Sequence, residues 1–214
     1  DAIIPLYIVE AAVGREVAQV PSEEIWGLDV SRGGADLCAL ARRKGNIMPR
    51  AIQTWRSDDA MVSVGRVKRE YDEAKEKNCA PSLICVDAIG LGAPVADRLA
   101  EMGLPIQCIN VSESHSSNDR YLRLRDEMWE RARAWFFQRD VCIPDDDAFV
   151  GEICLVTWKP TSNGKMKVVT KAEMKHDIHR SPDRSEAFCF TFMAGGGIMR
   201  KPQPLVYSKK KVYA

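Results

Sequence analysis

Histidine is scarce in this chain, net charge is almost absent, and no two cysteines form a C-x-x-C pair. Three histidines and seven scattered cysteines (38, 79, 85, 108, 142, 154 and 189) exclude the ligand spacing of a structural zinc site. An odd, dispersed cysteine count, with Cys85 inside the apolar run Leu83-Ile84-Cys85-Val86, is what reduced thiols used as small core residues look like. No apolar run approaches the roughly 18 residues of a membrane span, so no membrane partner is expected. A net charge of +1 does not point to nucleic acid as a basic domain would, and it is equally compatible with acids in a site ringed by bases. No phosphate-cradling G-x-x-x-x-G-K-[ST] loop is present. Gly90-x-Gly92 lacks the third glycine of a dinucleotide fingerprint, because Val95 stands there. There is no internal repeat, no initiator methionine and no signal pattern, and the opening at Asp1 reads as a cut within something longer.

What is present suffices for one packed domain: 214 residues, 45% of them hydrophobic. Residues 1–22 carry Pro5 and Pro21 without clear periodicity and read as a connector from an upstream domain. Residues 23–197 read as the domain itself, and 198–214, with Lys209, Lys210 and Lys211, as a flexible basic tail. Three short apolar runs, Ile25–Val30, Leu37–Arg42 and 47–55, are separated by the turns Gly33-Gly34 and Lys44-Gly45-Asn46, which predicts an antiparallel meander. A helix capped by Asp58 or Asp59 follows, ending before Pro81. The pattern then predicts a buried strand to Asp87, a helix through Val95 and Leu99, and a strand over 106–111. A helix over 119–138, a short helix after Pro144 and a Lys-rich hairpin over 155–170 come next. In the last helix Ser181 is the expected N-cap and Pro182 the first helical residue.

Three acids sit where chemistry is usually built: Asp29 on the first strand, Asp87 ending the fourth, Asp183 opening the last helix. An acid in an apolar strand is costly to bury without a partner, and a divalent cation is one such partner. Asp87 lies at the carboxyl end of a strand entering a glycine turn, where open α/β sheets bind ligands. Each acid alone has a plainer reading, as a turn residue, a helix cap, or a first-turn acid favoured by the helix dipole. Their combination and order favour the functional reading. An antiparallel meander followed by parallel strands and a late acid-bearing helix is the order of an RNase H-like mixed sheet flanked by helices, an α/β fold in which the three would converge.

Trp26-Gly27-Leu28-Asp29-Val30-Ser31-Arg32-Gly33-Gly34-Ala35-Asp36 resembles the first nuclease motif of tailed-phage terminase large subunits. Ile84-Cys85-Val86-Asp87-Ala88-Ile89-Gly90-Leu91-Gly92 resembles their second, and Ser181-Pro182-Asp183-Arg184-Ser185-Glu186-Ala187 their third and most specific. Leu124-Arg125-Asp126-Glu127-Met128-Trp129 resembles the family's central helix, and the resemblance covers about residues 1–195. It implies a metal-dependent endonuclease that cuts double-stranded concatemeric viral DNA during genome packaging in the host cytoplasm. Its implied partners are a small subunit, a portal protein and an upstream ATPase domain in the full-length chain. Asp29, Asp87 and Asp183 would then hold two Mg²⁺ or Mn²⁺ ions, Asp29 bridging them, since hard cations favour carboxylate oxygens. Glu186 stands where the family usually has Asp; it is read either as a ligand of the second metal or as a surface acid. Arg32, Lys171, Lys175 and Arg180 are the expected phosphate contacts, with Lys165 and Lys167 on the hairpin as further candidates. His176 and His179, three residues apart, are not expected to bind metal. A non-catalytic DNA-binding or assembly domain on the same fold, and another RNase H-like nuclease of resolvase or integrase type, are the competing readings.

Overall fold

Alternating burial places apolar side chains on both faces of a central sheet, and helices cover each face. The computed structural model describes residues 2–194, except 32, 35, 111–115, 117, 119, 163, 164, 179 and 180. A short helix, α1 (Leu6–Glu10), is followed by β1 (Glu24–Asp29), β2 (Cys38–Lys44) and β3 (Gln53–Trp55), then α2 (Ala60–Glu76). The units β4 (Leu83–Asp87), α3 (Gly92–Glu101) and β5 (Ile106–Ile109) come next. The chain continues through α4 (Leu124–Phe137), α5 (Asp147–Ile153), β6 (Trp158–Pro160), β7 (Met166–Val168), α6 (Lys171–Ile178) and α7 (Asp183–Phe190). The main sheet has the order β3-β2-β1-β4-β5. The β3-β2-β1 part is antiparallel and the β1-β4-β5 part parallel, while β6 and β7 form a separate hairpin. The expected α/β architecture, meander first and parallel strands second, is therefore the one observed. No helix among the described residues is long and apolar enough to cross a membrane.

Trp26 and Leu28 of β1, Leu40 of β2 and Ile84 and Val86 of β4 point to one face, where Val64 and Val67 of α2 and Val95 and Leu99 of α3 bury them. The alternate residues, including Ala39, Ala41 and Cys85, point to the other face, under α4, α5 and α7. There Phe188 sits with ring centroids 5.5 Å from Trp135, 5.3 Å from Phe149 and 5.2 Å from Phe192. Cys38, Cys85 and Cys189 are fully buried, and the other four thiols are partly covered.

Three boundaries differ from those expected. Residues read as a connector are part of the core: Ile3, Ile4, Ile8, Val9 and Ala12 are buried against α4 and α5, and the Ile3 amide donates to the Val156 carbonyl at 2.8 Å. The third strand is only Gln53–Trp55, because Ile47 instead bridges to Lys44 and Cys142. α4 starts at Leu124, five residues later than the periodicity suggests, where Asp126 Oδ2 reaches back to accept from the Arg123 amide at 2.9 Å. The expected tail, 198–214, lies outside the described residues.

Candidate active site

Strand alternation puts two of the predicted acids side by side. Leu28 of β1 pairs in parallel with Val86 of β4, and Asp29 and Asp87 are the next residues of each strand. Both share the sheet face of Gly27 and Cys85, the face that α7 covers. A β-carbon at Gly27 would fall 1.9 Å from the Ala187 carbonyl oxygen, so only glycine lets α7 lie this close to β1. One at Gly92 would fall 1.7 Å from the Asp87 carbonyl oxygen, so the chain can fold back behind that acid only with glycine there. The close approach of α7 delivers Asp183 and Glu186 to the carboxyl end of β1. They lie three residues apart and so project from one side of the helix.

The start of α7 is built differently from expectation. Pro182 takes the N-cap position and supplies no side-chain cap, and the Ser181 hydroxyl donates to Asp36 Oδ1 at 3.0 Å. The exposed helix amides are satisfied from α5. Glu152 Oε1 accepts from the Arg184 amide at 2.9 Å and the Ser185 amide at 3.5 Å, and Glu152 is only 1% exposed. Asp183 Oδ2 accepts from the Leu37 amide at 2.8 Å, which ties the loop after β1 to the helix.

Lys171, the first residue of α6, joins the acids. Its Nζ lies 2.9 Å from Asp29 Oδ2 and 2.8 Å from Glu186 Oε2. The other oxygen of Glu186, Oε1, accepts from Arg125 Nε at 3.2 Å and a terminal guanidinium nitrogen at 2.7 Å. Burial pushes the Asp29 carboxyl up to about 7; Lys171 opposes the shift, while Glu186 and Asp183 add to it. Asp183 is raised too, by burial first, against the pull of the Leu37 amide and of Lys171. Burial also disfavours the charge on Glu186, yet its ion pairs with Lys171 and Arg125 more than offset this, and its pKa lies below the usual value. Burial and ion pairing thus push the two acids in opposite directions, favouring the charge on Glu186 and disfavouring it on Asp29.

These groups line a cleft of ≈ 320 Å³ whose wall includes Asp29, Asp87, Glu186, Arg123, Arg125 and Lys171. Its acids offer carboxylate oxygens, and among the described residues no thiolate or imidazole lines it, which suits hard divalent ions. Among the described residues no three of His, Cys, Asp and Glu form a ready-made ligand group, and the Lys171 ammonium stands between two of the carboxylates.

Of the predicted site residues, Asp29, Asp87 and Glu186 line the cleft, and Asp183 is held beside them through Leu37. Glu186 is 1% exposed, which removes the surface-acid reading. Lys171 meets the acids directly. Lys175 lies on α6 with its side chain undescribed, as is that of His176, and Arg32, Arg180 and His179 lie outside the described residues. Sequence reasoning missed Arg125, Arg123 and Glu152 as site residues, and missed α6 altogether. That helix has a legible start: Thr170-x-x-Glu173 is a capping box, and the Thr170 amide and hydroxyl each donate to Glu173 Oε2 at 2.8 Å. Glu152 had no comparable signal, since it acts across 32 residues of chain.

No protein-family profile and no curated protein matches this sequence. Solved structures do. The nuclease domain of the large terminase subunit of bacterial virus Sf6 superposes at TM-score 0.69 with 18% identity, over 90% of this chain and 98% of that one. A variant of that domain with manganese and β-thujaplicinol superposes at 0.73 with 19% identity, over 90% of this chain and 98% of that one. The large terminase nuclease of thermophilic phage G20c, with bound magnesium, superposes at 0.61 with 11% identity, over 91% and 99%. Identities this low establish architecture alone: the chain has the fold of phage large terminase nuclease domains, an RNase H-like mixed sheet with helices on both faces.

Proposed function

We propose that this chain is the nuclease domain of a terminase large subunit, a metal-dependent endonuclease that cuts double-stranded concatemeric viral DNA during genome packaging. The observation that carries this reading is the gathering of Asp29, Asp183 and Glu186, with Asp87 in the same cleft, at the carboxyl end of β1 and β4. Buried carboxylates that raise one another's pKa are an electrostatic deficit that a bound cation offsets. Relatives in fold hold magnesium, manganese or cobalt. Asp29 would bridge two Mg²⁺ or Mn²⁺ ions, with Asp87 serving one, Asp183 the other, and Glu186 a further ligand through Oε2. Such ions activate water and stabilise charge on the phosphoryl oxygens.

The protein's own groups have separable tasks. Arg125 fixes Glu186 through one oxygen and leaves the other to Lys171. Lys171 covers one oxygen of Asp29 and one of Glu186, so its withdrawal exposes both at once. The remaining parts of the reading follow the resemblance: an ATPase domain upstream, a small subunit and a portal protein as partners, and action in the host cytoplasm. The same Lys171 contact favours a second reading, in which the ammonium permanently replaces the ion and the domain serves in DNA binding or assembly.

Plasmid cleavage with Mn²⁺, Mg²⁺ or EDTA, beside Asp29→Ala and Asp183→Ala, separates the two. Metal-dependent cutting that disappears in both folded variants supports the nuclease. A silent wild-type chain that also binds no Mn²⁺ in a titration supports the assembly reading.

A further inference from the structure

Asp29, Asp87 and Glu186 line the cleft, and duplex DNA is a polyanion, so some cation must meet the strand where it enters. Among the described residues three cationic side chains line the cleft: Arg123, Arg125 and Lys171. Arg125 is buried, with one terminal nitrogen donating to the Val169 carbonyl at 2.7 Å and the rest of its guanidinium to Glu186. Lys171 is shared between Asp29 and Glu186. Arg123 is exposed, and among the described residues its guanidinium has no hydrogen bond or ion pair.

Its place in the chain is a second, independent sign. Arg123 is the N-cap of α4, with φ −134° and ψ 163°, and its side chain makes no capping bond. Ser, Thr, Asp or Asn serves that position, and a cation at the positive end of a helix is unfavourable. The fold does without its head group, because Asp126 closes the turn by accepting from the Arg123 amide. The Arg123 carbonyl in turn accepts from the Asp126 and Glu127 amides at 3.1 and 3.3 Å. A residue that breaks a local rule without helping the helix, on a backbone held this firmly, is where a ligand contact is to be sought.

We infer that Arg123 grips a backbone phosphate of the DNA strand that lies across the cleft, at a diester next to the one presented to the carboxylates. The planar guanidinium takes two phosphate oxygens at once, which positions the strand without reading its sequence. The inference rests on the nuclease reading and deepens it by naming a substrate-binding residue that the sequence did not reveal.

The test is binding of the purified chain to two short duplexes of unrelated sequence, in Ca²⁺, between about 50 and 200 mM salt. It compares Arg123→Ala, Arg123→Lys and Arg98→Ala, a surface control paired with Glu101 on α3. Arg123→Ala should weaken binding equally on both duplexes and lower the slope of log K against log salt by about 0.9, the share of one phosphate contact. Arg123→Lys should restore the slope, and Arg98→Ala should match wild type, all with unchanged melting temperature. With Mn²⁺, Arg123→Ala should raise KM for cleavage. An Arg123→Ala chain with wild-type affinity and slope overturns the inference while leaving a cutting wild type, and the nuclease reading, intact. An equal loss in Arg98→Ala also overturns it, by showing only bulk charge. A wild-type chain that neither binds nor cuts duplex DNA removes the nuclease reading, and this inference with it.

Discussion

At the scale of single residues, Lys171 is a shared counter-charge for two acids that come from opposite ends of the sequence. Its side chain is 38% exposed while Asp29 and Glu186 are nearly buried, so the lysine is the member of the three that solvent reaches. Replacing it leaves two buried carboxylates without one of their counter-charges, and removing one partner of a buried pair is strongly destabilising. Lys171→Ala should lower stability by about 2 kcal/mol in EDTA, a figure reduced here for the partial exposure of the lysine. Saturating Mn²⁺ should recover more stability in the variant than in wild type, since an ion there no longer competes with the ammonium. Melting curves with and without Mn²⁺ check this, and equal metal-induced shifts in the two proteins would refute it. Asp29 was legible because it ends an apolar strand, and Glu186 because it stands in the third motif. Lys171 was expected as a phosphate contact, and its pairing with Asp29 and Glu186 was not legible, since it depends on a helix the periodicity did not reveal.

At the scale of elements, α7 is held by a cap from elsewhere and by an absence. The absence is the missing side chain at Gly27; the cap is Glu152. Burial raises Glu152 from 4.5 to about 7, against the pull of Arg184 and of the Ser185 and Arg184 amides. In the unfolded chain this carboxyl gives up its proton near its ordinary value, whereas in the folded chain it keeps it until about 7. Between those values the folded state binds more protons, so stability falls as pH rises through the window. Asp29 adds to the same trend. Glu152→Gln keeps an acceptor for the helix amides and removes one titrating group. In EDTA the wild-type melting temperature should therefore drop between pH 5 and 7.5, and the variant should drop less. Each buried group contributes at most ~1.4 kcal/mol per pH unit, or roughly 2–4 °C per kcal/mol for a domain of this size. Identical slopes would exclude the assignment. Local rules located the start of α7 to within one residue and failed to show what caps it, because Ser181 turns away to Asp36.

At the scale of the whole molecule, the sheet separates two cores. One is closed by α2 and α3, and the other by α4, α5, α7 and the first residues of the chain. The first was readable from sequence, because β-α-β units carry their own periodicity. The second was only partly readable. Ile3, Ile4, Ile8 and Val9 are interrupted by Pro5 and reach their partners across more than a hundred residues. Phe188 is where this second core meets the site helix. Phe188→Ala should cost about 3–5 kcal/mol, a large share of the roughly 5–15 kcal/mol that holds a domain together. Urea unfolding should show an earlier midpoint with an unchanged m value, and a loss under about 1 kcal/mol would contradict the packing described.

The placement of α7 late in the chain also gives the protein an order in time. Asp29 and Asp87 leave the ribosome long before Asp183 and Glu186, and until the segment ending at Phe190 has emerged neither the second core nor the full set of carboxylates exists. A nascent chain stalled before that point holds half a site on half a core. Any chemistry that needs all four carboxylates is thereby withheld until the segment through Phe190 has been made.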